Sequence, residues 1–206
     1  MAITYPLSLP TEPSFRTSTF RLERAVGVSV SPFTGREQVY LHQGAWWEAE
    51  LTLPPMSKAQ ARAWIAFMVS CRGRSGTFLM GDPDGASPQG AGAQPGSIPY
   101  AAGGQTGTSI ASYGWKPSAY AMRAGDYFQL GTGASARLHM CVQDSPTDPS
   151  GGTFLTFEPP LREATTVNQP IYIDNPRGVF RLVSKAEWGV DEMSRFGITL
   201  AVREAL

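Results

Sequence analysis

Between Trp46 and Pro83 the chain reads WWEAELTLPPMSKAQARAWIAFMVSCRGRSGTFLMGDP, and no other stretch limits its fold as much. Trp47, Ala49, Leu51 and Leu53 alternate with Trp46, Glu48, Glu50 and Thr52, the period of a strand with one face buried. Pro54 and Pro55 end that strand. Ser57 then stands where a helix N-cap belongs, and Gln60, three residues on, can reach back to close a capping box. The spacing predicts a helix over 58–71 with Trp64, Phe67, Met68 and Cys71 in one apolar stripe. At ~1.5 to 3 kcal/mol per large buried apolar side chain, that stripe can anchor the helix across a sheet. Ile65 and Val69 continue the opposite line begun by Lys58 and Arg62, so the second half of the helix offers an apolar face to another lobe or subunit. A Gly-rich turn and a second strand complete the block.

The 206 residues are 42% hydrophobic, enough for one full core or a core with a small inserted module. Seventeen Lys and Arg balance seventeen Asp and Glu, so no global field draws the chain to nucleic acid or to an anionic membrane. Frequent Gly and Pro without heptads favour many short strands joined by tight turns. Cys71 and Cys141 both lie in apolar patterns and read as reduced core residues, too few for a disulfide framework. The segment 1–13 lacks a basic n-region and is broken by Pro6, Pro10 and Pro13, so neither a signal peptide nor a membrane anchor is expected, and folding in a cytoplasm is. No stretch approaches the ~20 apolar residues that span a bilayer.

Along the chain, 20–23, 26–30 and 39–42 read as strands, the last two separated by an SPFTG turn at 31–35 like a hairpin. From Gly81 to Ala119 the text turns to Gly, Ala, Ser, Gln and Pro, with little to bury, and reads as a long loop or arm. Strand patterning resumes at 125–130, 137–143, 153–158 and 171–173, suggesting a small antiparallel barrel or sandwich. Phe196, Ile198, Leu200 and Val202 then alternate cleanly in a closing strand that needs a larger sheet beside it. The expectation is therefore a mainly β protein: a discontinuous domain of 1–83 and 176–206 with one packed helix, an arm of 84–119, and an inserted small β domain of 120–175.

Reactive constellations are scarce. His42 and His139 each stand alone in a strand pattern, with no second ligand at a metal-binding spacing. No GxSxG elbow occurs. Gly131, Gly133 and Ala136 match GxGxxA, but 137–143 alternates like a strand, so the glycines read as a turn and not as a dinucleotide loop. Asp82 with Asp84, and Asp191 with Glu192, sit among turn residues, where acidic side chains commonly shape the backbone. Arg72 and Arg74 flank Gly73 as a basic helix C-terminus does. Trp46, Trp47, Trp64, Trp115 and Trp188 read as core and interface residues; in a carbohydrate-binding module, the alternative reading, Trp46 and Trp115 would be the exposed stacking pair. No catalytic, cofactor-binding or metal residue is assigned, and no enzymatic activity is expected.

The run from Trp46 through LPPMSKAQARAWIAFMVSCRGRSGTFLMGDP, with GDYFQL, LHMCVQD, GGTFLTFEPPLR, GVFRL and the closing strand ending in REAL, resembles the distal tail proteins of long-tailed bacteriophages and related gene-transfer particles. The resemblance covers residues 20–83 and 124–206 and leaves the Gly-rich segment uncovered. It implies a β-sandwich belt domain with one packed helix, assembled as a homohexameric ring in the tail tip of a virion. One rim would meet the tail tube protein and the other the tail-tip hub, with receptor-binding proteins nearby. A closed ring also suits exposed strand edges, which are a liability unless neighbouring subunits cover them.

Overall fold

A computed structural model describes residues 3–206. The protein is mainly β, with one α-helix among the described residues. In chain order the first elements are β1 (Leu7–Ser8), β2 (Thr17–Val30), β3 (Glu37–Thr52), α1 (Lys58–Ser70) and β4 (Phe78–Met80). The middle of the chain holds β5 (Tyr100–Ala101), β6 (Gly107–Tyr113), β7 (Tyr120–Met122), β8 (Tyr127–Leu130), β9 (Arg137–Cys141), β10 (Ser145–Pro146), β11 (Thr153–Leu161) and β12 (Gln169–Tyr172). The last part returns as β13 (Gly178–Leu182), β14 (Gly189–Val190), β15 (Phe196–Gly197) and β16 (Thr199–Glu204).

Two bodies of β-structure result. The first is a six-stranded sheet in the order β1-β4-β13-β16-β3-β2, antiparallel except for the parallel β1–β4 pair. Its core face carries Trp47, Ala49 and Leu51 of β3, Phe78 and Met80 of β4, Phe180 and Leu182 of β13, and Leu200 and Val202 of β16, all buried. The clean alternation of the closing strand is thus used against β3, through pairs such as Leu200↔Leu51 and Val202↔Ala49. α1 lies across this face with Ala61, Trp64, Phe67 and Met68 buried, and Phe67 meets Phe78 edge-on at 5.2 Å. Gln60 Oε1 accepts from the Ser57 N–H (3.1 Å) and hydroxyl (2.9 Å), the reach-back half of the capping box. The helix ends at Ser70, followed by Arg72 and Gly73 in the left-handed region (φ 48° and 68°). Ile65 is half-buried against the core, so of the expected second apolar face only Val69 remains exposed.

The second body is a closed barrel in the order β11-β6-β5-β12-β8-β9, all pairs antiparallel, with β7 and β10 paired beside it. It is inserted between β4 and β13, which are themselves hydrogen-bonded neighbours, so the chain leaves and re-enters the sheet at one neck. A Cβ on Gly81 would stand 2.0 Å from the Pro176 carbonyl oxygen, so only glycine lets the two crossing strands pass this closely. Barrel residues Leu138, Tyr127 and Met140 face the sheet and, with α1, complete the layer opposite it.

The segment 84–119, expected to be an arm, supplies two staves of the barrel, β5 and β6, so the inserted body is not confined to 120–175. Composition misled because this segment is held by polar groups and close backbone approach in place of apolar mass. The buried Asp126 carboxylate accepts from the backbone N–H groups of Gln89 (2.8 Å), Gly90 (3.0 Å) and Arg123 (2.7 Å). Gln105 bridges the Ala102 carbonyl and both backbone groups of Ala111. Among the described residues no helix is long and apolar enough to cross a membrane. Replacing Asp126 with Ala leaves three partly buried amides unpaired, at about 1–3 kcal/mol for such a group. A drop in Tm of several degrees is expected, with faster amide exchange at Gln89 and Gly90; unchanged exchange there would refute this role for the carboxylate.

Candidate assembly surface

Beyond the body of the sheet, β2 and β3 run on as a two-stranded ribbon that pairs with no other strand among the described residues. At a bulge the pairing moves from Arg24↔Ala45 to Val26↔Leu41, two residues on β2 against four on β3. Both steps are even, so the side-chain alternation stays in phase and the face bearing Leu22 and Trp47 continues outward. There it carries Val26, Val28 and Val30 opposite Leu41, Val39 and Glu37. The five apolar side chains are between 44% and 65% exposed, and Phe33 at the tip is 95% exposed. The opposite face holds Gly27, Ser29, Gln38 and Tyr40. An apolar stripe of this length, on a ribbon with nothing packed on it among the described residues, is larger than the singly scattered apolar residues of an ordinary surface and makes this face the candidate for contact with another molecule. The turn is closed by Ser31 and Arg36, whose Ser31 N–H donates to the Arg36 carbonyl at 2.9 Å, and by Gly35 at φ 64°.

The base of the ribbon is fixed to the barrel by a polar seam. Arg162, just after β11, donates to both oxygens of Glu204 at 2.8 Å and to the Ala45 carbonyl at 3.1 Å. The Glu204 carboxylate is buried and also accepts from the Trp47 N–H at 3.2 Å. Trp47 Nε1 donates to the Leu138 carbonyl at 2.9 Å, and its ring packs on Tyr127. Arg24, the last β2 residue before the bulge, pairs with Glu158 of β11. On the other sheet face, Glu48 receives Arg21 (2.7 Å) and Arg203 (2.6 Å), and the Arg203 guanidinium lies over Trp46. Burial alone would raise the Glu48 pKa, but hydrogen bonds from Trp46, Arg21 and Arg203 overcome it and bring the group to about 2.

The residues singled out from sequence do not converge on one site. Trp115 is fully buried in the barrel core, as the core reading expects, with Nε1 donating to Ser112, and Trp46 is half-covered by Arg203, so the exposed stacking pair that a carbohydrate-binding module would need is not formed by these two. Gly131 and Gly133 have φ of 74° and 57°, lead through a short 3-10 turn into β9 and open no helix. Asp82 accepts from the Asp84 N–H and from the Tyr127 hydroxyl, and Asp191 accepts from the Arg195 N–H, so both acidic pairs help shape turns. Cys71 and Cys141 are free and buried, and burial pushes their thiols up to about 11 and about 12. His42 is exposed on the ribbon, whereas His139 is buried between Phe128 and Phe157.

The ribbon was half-visible in the sequence, as two alternating strands about a turn. That nothing covers it was not, because coverage depends on where the sheet stops. Arg162 and Glu204 are far apart in the chain and carry no local signal. No protein-family model matches this chain, and no curated protein matches it.

Two acid-sensitive windows follow from these environments. Burial, opposed by the Pro159 carbonyl and reinforced by Arg162 and Arg137, pushes the His139 pKa from 6.5 down to about 4. As pH falls through 6.5 the unfolded chain takes up a proton that the folded chain refuses until about 4, so stability declines in that interval by about 3 kcal/mol. Glu48 works lower: its contribution is present above 4.5 and is lost as pH falls toward 2. Denaturant melts from pH 7 to 4 should show the first decline in the native chain and a flatter profile in His139→Phe; parallel profiles would contradict the assignment.

Proposed function

We propose that this chain is a structural subunit that associates with copies of itself into a closed ring, in the manner of the distal tail proteins it resembles, and joins a tail tube to a tail-tip hub. It acts by docking and not by turnover. The observation that carries the reading is the apolar face of the β2–β3 ribbon, which extends the core face of the sheet past its own domain and leaves it uncovered. Covering the exposed remainder of its five apolar side chains would contribute roughly 4–7 kcal/mol. Association of two free proteins costs about that much or more, so one ribbon contact alone would be weak. In a ring each subunit gives and receives one such contact, and the closing contact forms between partners already tethered. Six copies are the number the resemblance implies, in a virion assembled in the cytoplasm of a bacterial host.

The neutral overall charge suits neighbours met through apolar and hydrogen-bonding surfaces, and the reading requires neither nucleic-acid binding nor membrane insertion. Light scattering and negative-stain images of the purified chain should reveal rings with a central hole. The paired substitution Val28→Lys with Val39→Glu keeps a favourable cross-strand pair while making the stripe polar. It should abolish the rings and change stability by no more than about 1 kcal/mol, as surface substitutions do. A native chain that stays monomeric at every concentration, or a double variant that still forms rings, would overturn the reading.

A further inference from the structure

The β2–β3 ribbon leaves one end of the six-stranded sheet, and a second apolar projection leaves the other. β3 runs from the ribbon to Thr52, which pairs with Thr199, and just beyond it Met56 bridges to Phe196. Phe196 begins β15, which forms with β14 a hairpin separate from the main sheet. Every residue from Lys185 to Arg195 is exposed. Trp188 at 41%, Val190 at 56% and Met193 at 83% give this hairpin an apolar surface of its own. At its foot Pro55, Val190 and Phe196 help line an open recess of about 360 Å³. At ~3.3 Å per residue, the length of β3 from Val39 to Thr52 holds the ribbon stripe and the hairpin about 40 Å apart, so the two cannot meet within one chain.

A ring built from one kind of chain needs two different surfaces, one given and one received, whereas a surface that meets its own copy closes a pair. Ribbon and hairpin supply two such surfaces, at opposite ends of one sheet. Phe33 holds a fully exposed ring at the ribbon tip, and the recess beside Val190 has room for one. The turn that carries Phe33 also carries Arg36, and the turn that carries Met193 also carries Glu192, all of them exposed, so each tip offers the other an ion partner. Stripe, Phe33 and hairpin together present roughly 1,000 Å² of apolar surface, about what a specific contact needs and more than the stripe has alone. Resting on the ring reading, we propose that the ribbon is received by a second copy of this chain at its β14–β15 hairpin, with Phe33 seated in the recess of Pro55, Val190 and Phe196. Each copy then gives its ribbon to one neighbour and its hairpin to the other.

Cross-linking of the full-length chain tests this contact. Thr34→Cys, beside Phe33, and Arg195→Cys, on the lining of the recess, leave the apolar contact residues in place. Treated with a short bis-maleimide, the double variant should give a ladder of covalent multimers on denaturing gels, and each single variant should stay one band. The native Cys71 and Cys141 are buried and do not compete for the reagent. A second variant, Val190→Thr with Met193→Lys, should weaken self-association at least tenfold and leave the melt unchanged, since both side chains are exposed. Cross-links from Thr34→Cys alone would mean ribbon on ribbon, and cross-links from Thr34→Cys with Phe154→Cys would put the ribbon on the exposed flank of the barrel. Either result, native rings without the ladder, or rings that persist in the hairpin variant, overturns the proposal and leaves the ring reading standing. A native chain that forms no ring overturns both.

Discussion

The architecture depends on a buried carboxylate at the end of the last strand. Glu204 is held by the Arg162 fork from the barrel and by the Trp47 amide from the sheet, while Arg162 also caps the Ala45 carbonyl. A charge buried this deeply is tolerated only because its partner is bidentate and its remaining capacity is filled; losing one partner of such a pair typically costs 3–5 kcal/mol. The seam joins three elements that are distant in sequence: β3, the exit from β11, and β16. It therefore sets where the barrel stands against the sheet. With Trp47 bonded to the Leu138 carbonyl on the same side, the barrel wall serves as part of the layer that buries the core face of the sheet.

That placement determines what is left uncovered. The sheet face bearing Trp47 is closed by α1 and by the barrel wall, and Arg24, just before the bulge, pairs with Glu158 of the barrel. Past it the same face continues for five residues on each strand with no layer to meet it. Apolar residues scattered singly on a surface need no explanation, but a continuous stripe on a projecting ribbon does. The barrel, meanwhile, has its own core built on Trp115, Phe128 and Phe157.

Much of the fold was legible in the residues. The 46–83 block, with its alternating strand, capped helix and second strand, and the closing strand of Phe196, Ile198, Leu200 and Val202 carry periodicities that hold in the structure because they are local. The reading failed at 84–119. A stretch poor in large apolar residues reads as an arm, yet Asp126 and Gln105 bond to its backbone, and glycine allows Gly90 to lie against the Ala121 carbonyl. Trp115 reads as a core residue and is one, fully buried where the barrel closes around it, although the Gly-rich text about it carries no sign of the barrel.

The sequence by itself determined the class of structure: the strand periods, the single packed helix, the interruption of the main domain, and the shortage of reactive constellations. These follow from neighbours within a few residues of one another, where side-chain alternation and capping act. Only the tertiary structure decided which apolar stripes are core and which are surface, since Val28 and Ala49 obey the same alternation and differ only in whether a second layer reaches them. It also decided that His139 is buried with an Nε2 that has no partner among the described residues and that Arg162 meets Glu204. Burial and pairing are properties of the closed surface, and no local spacing encodes them.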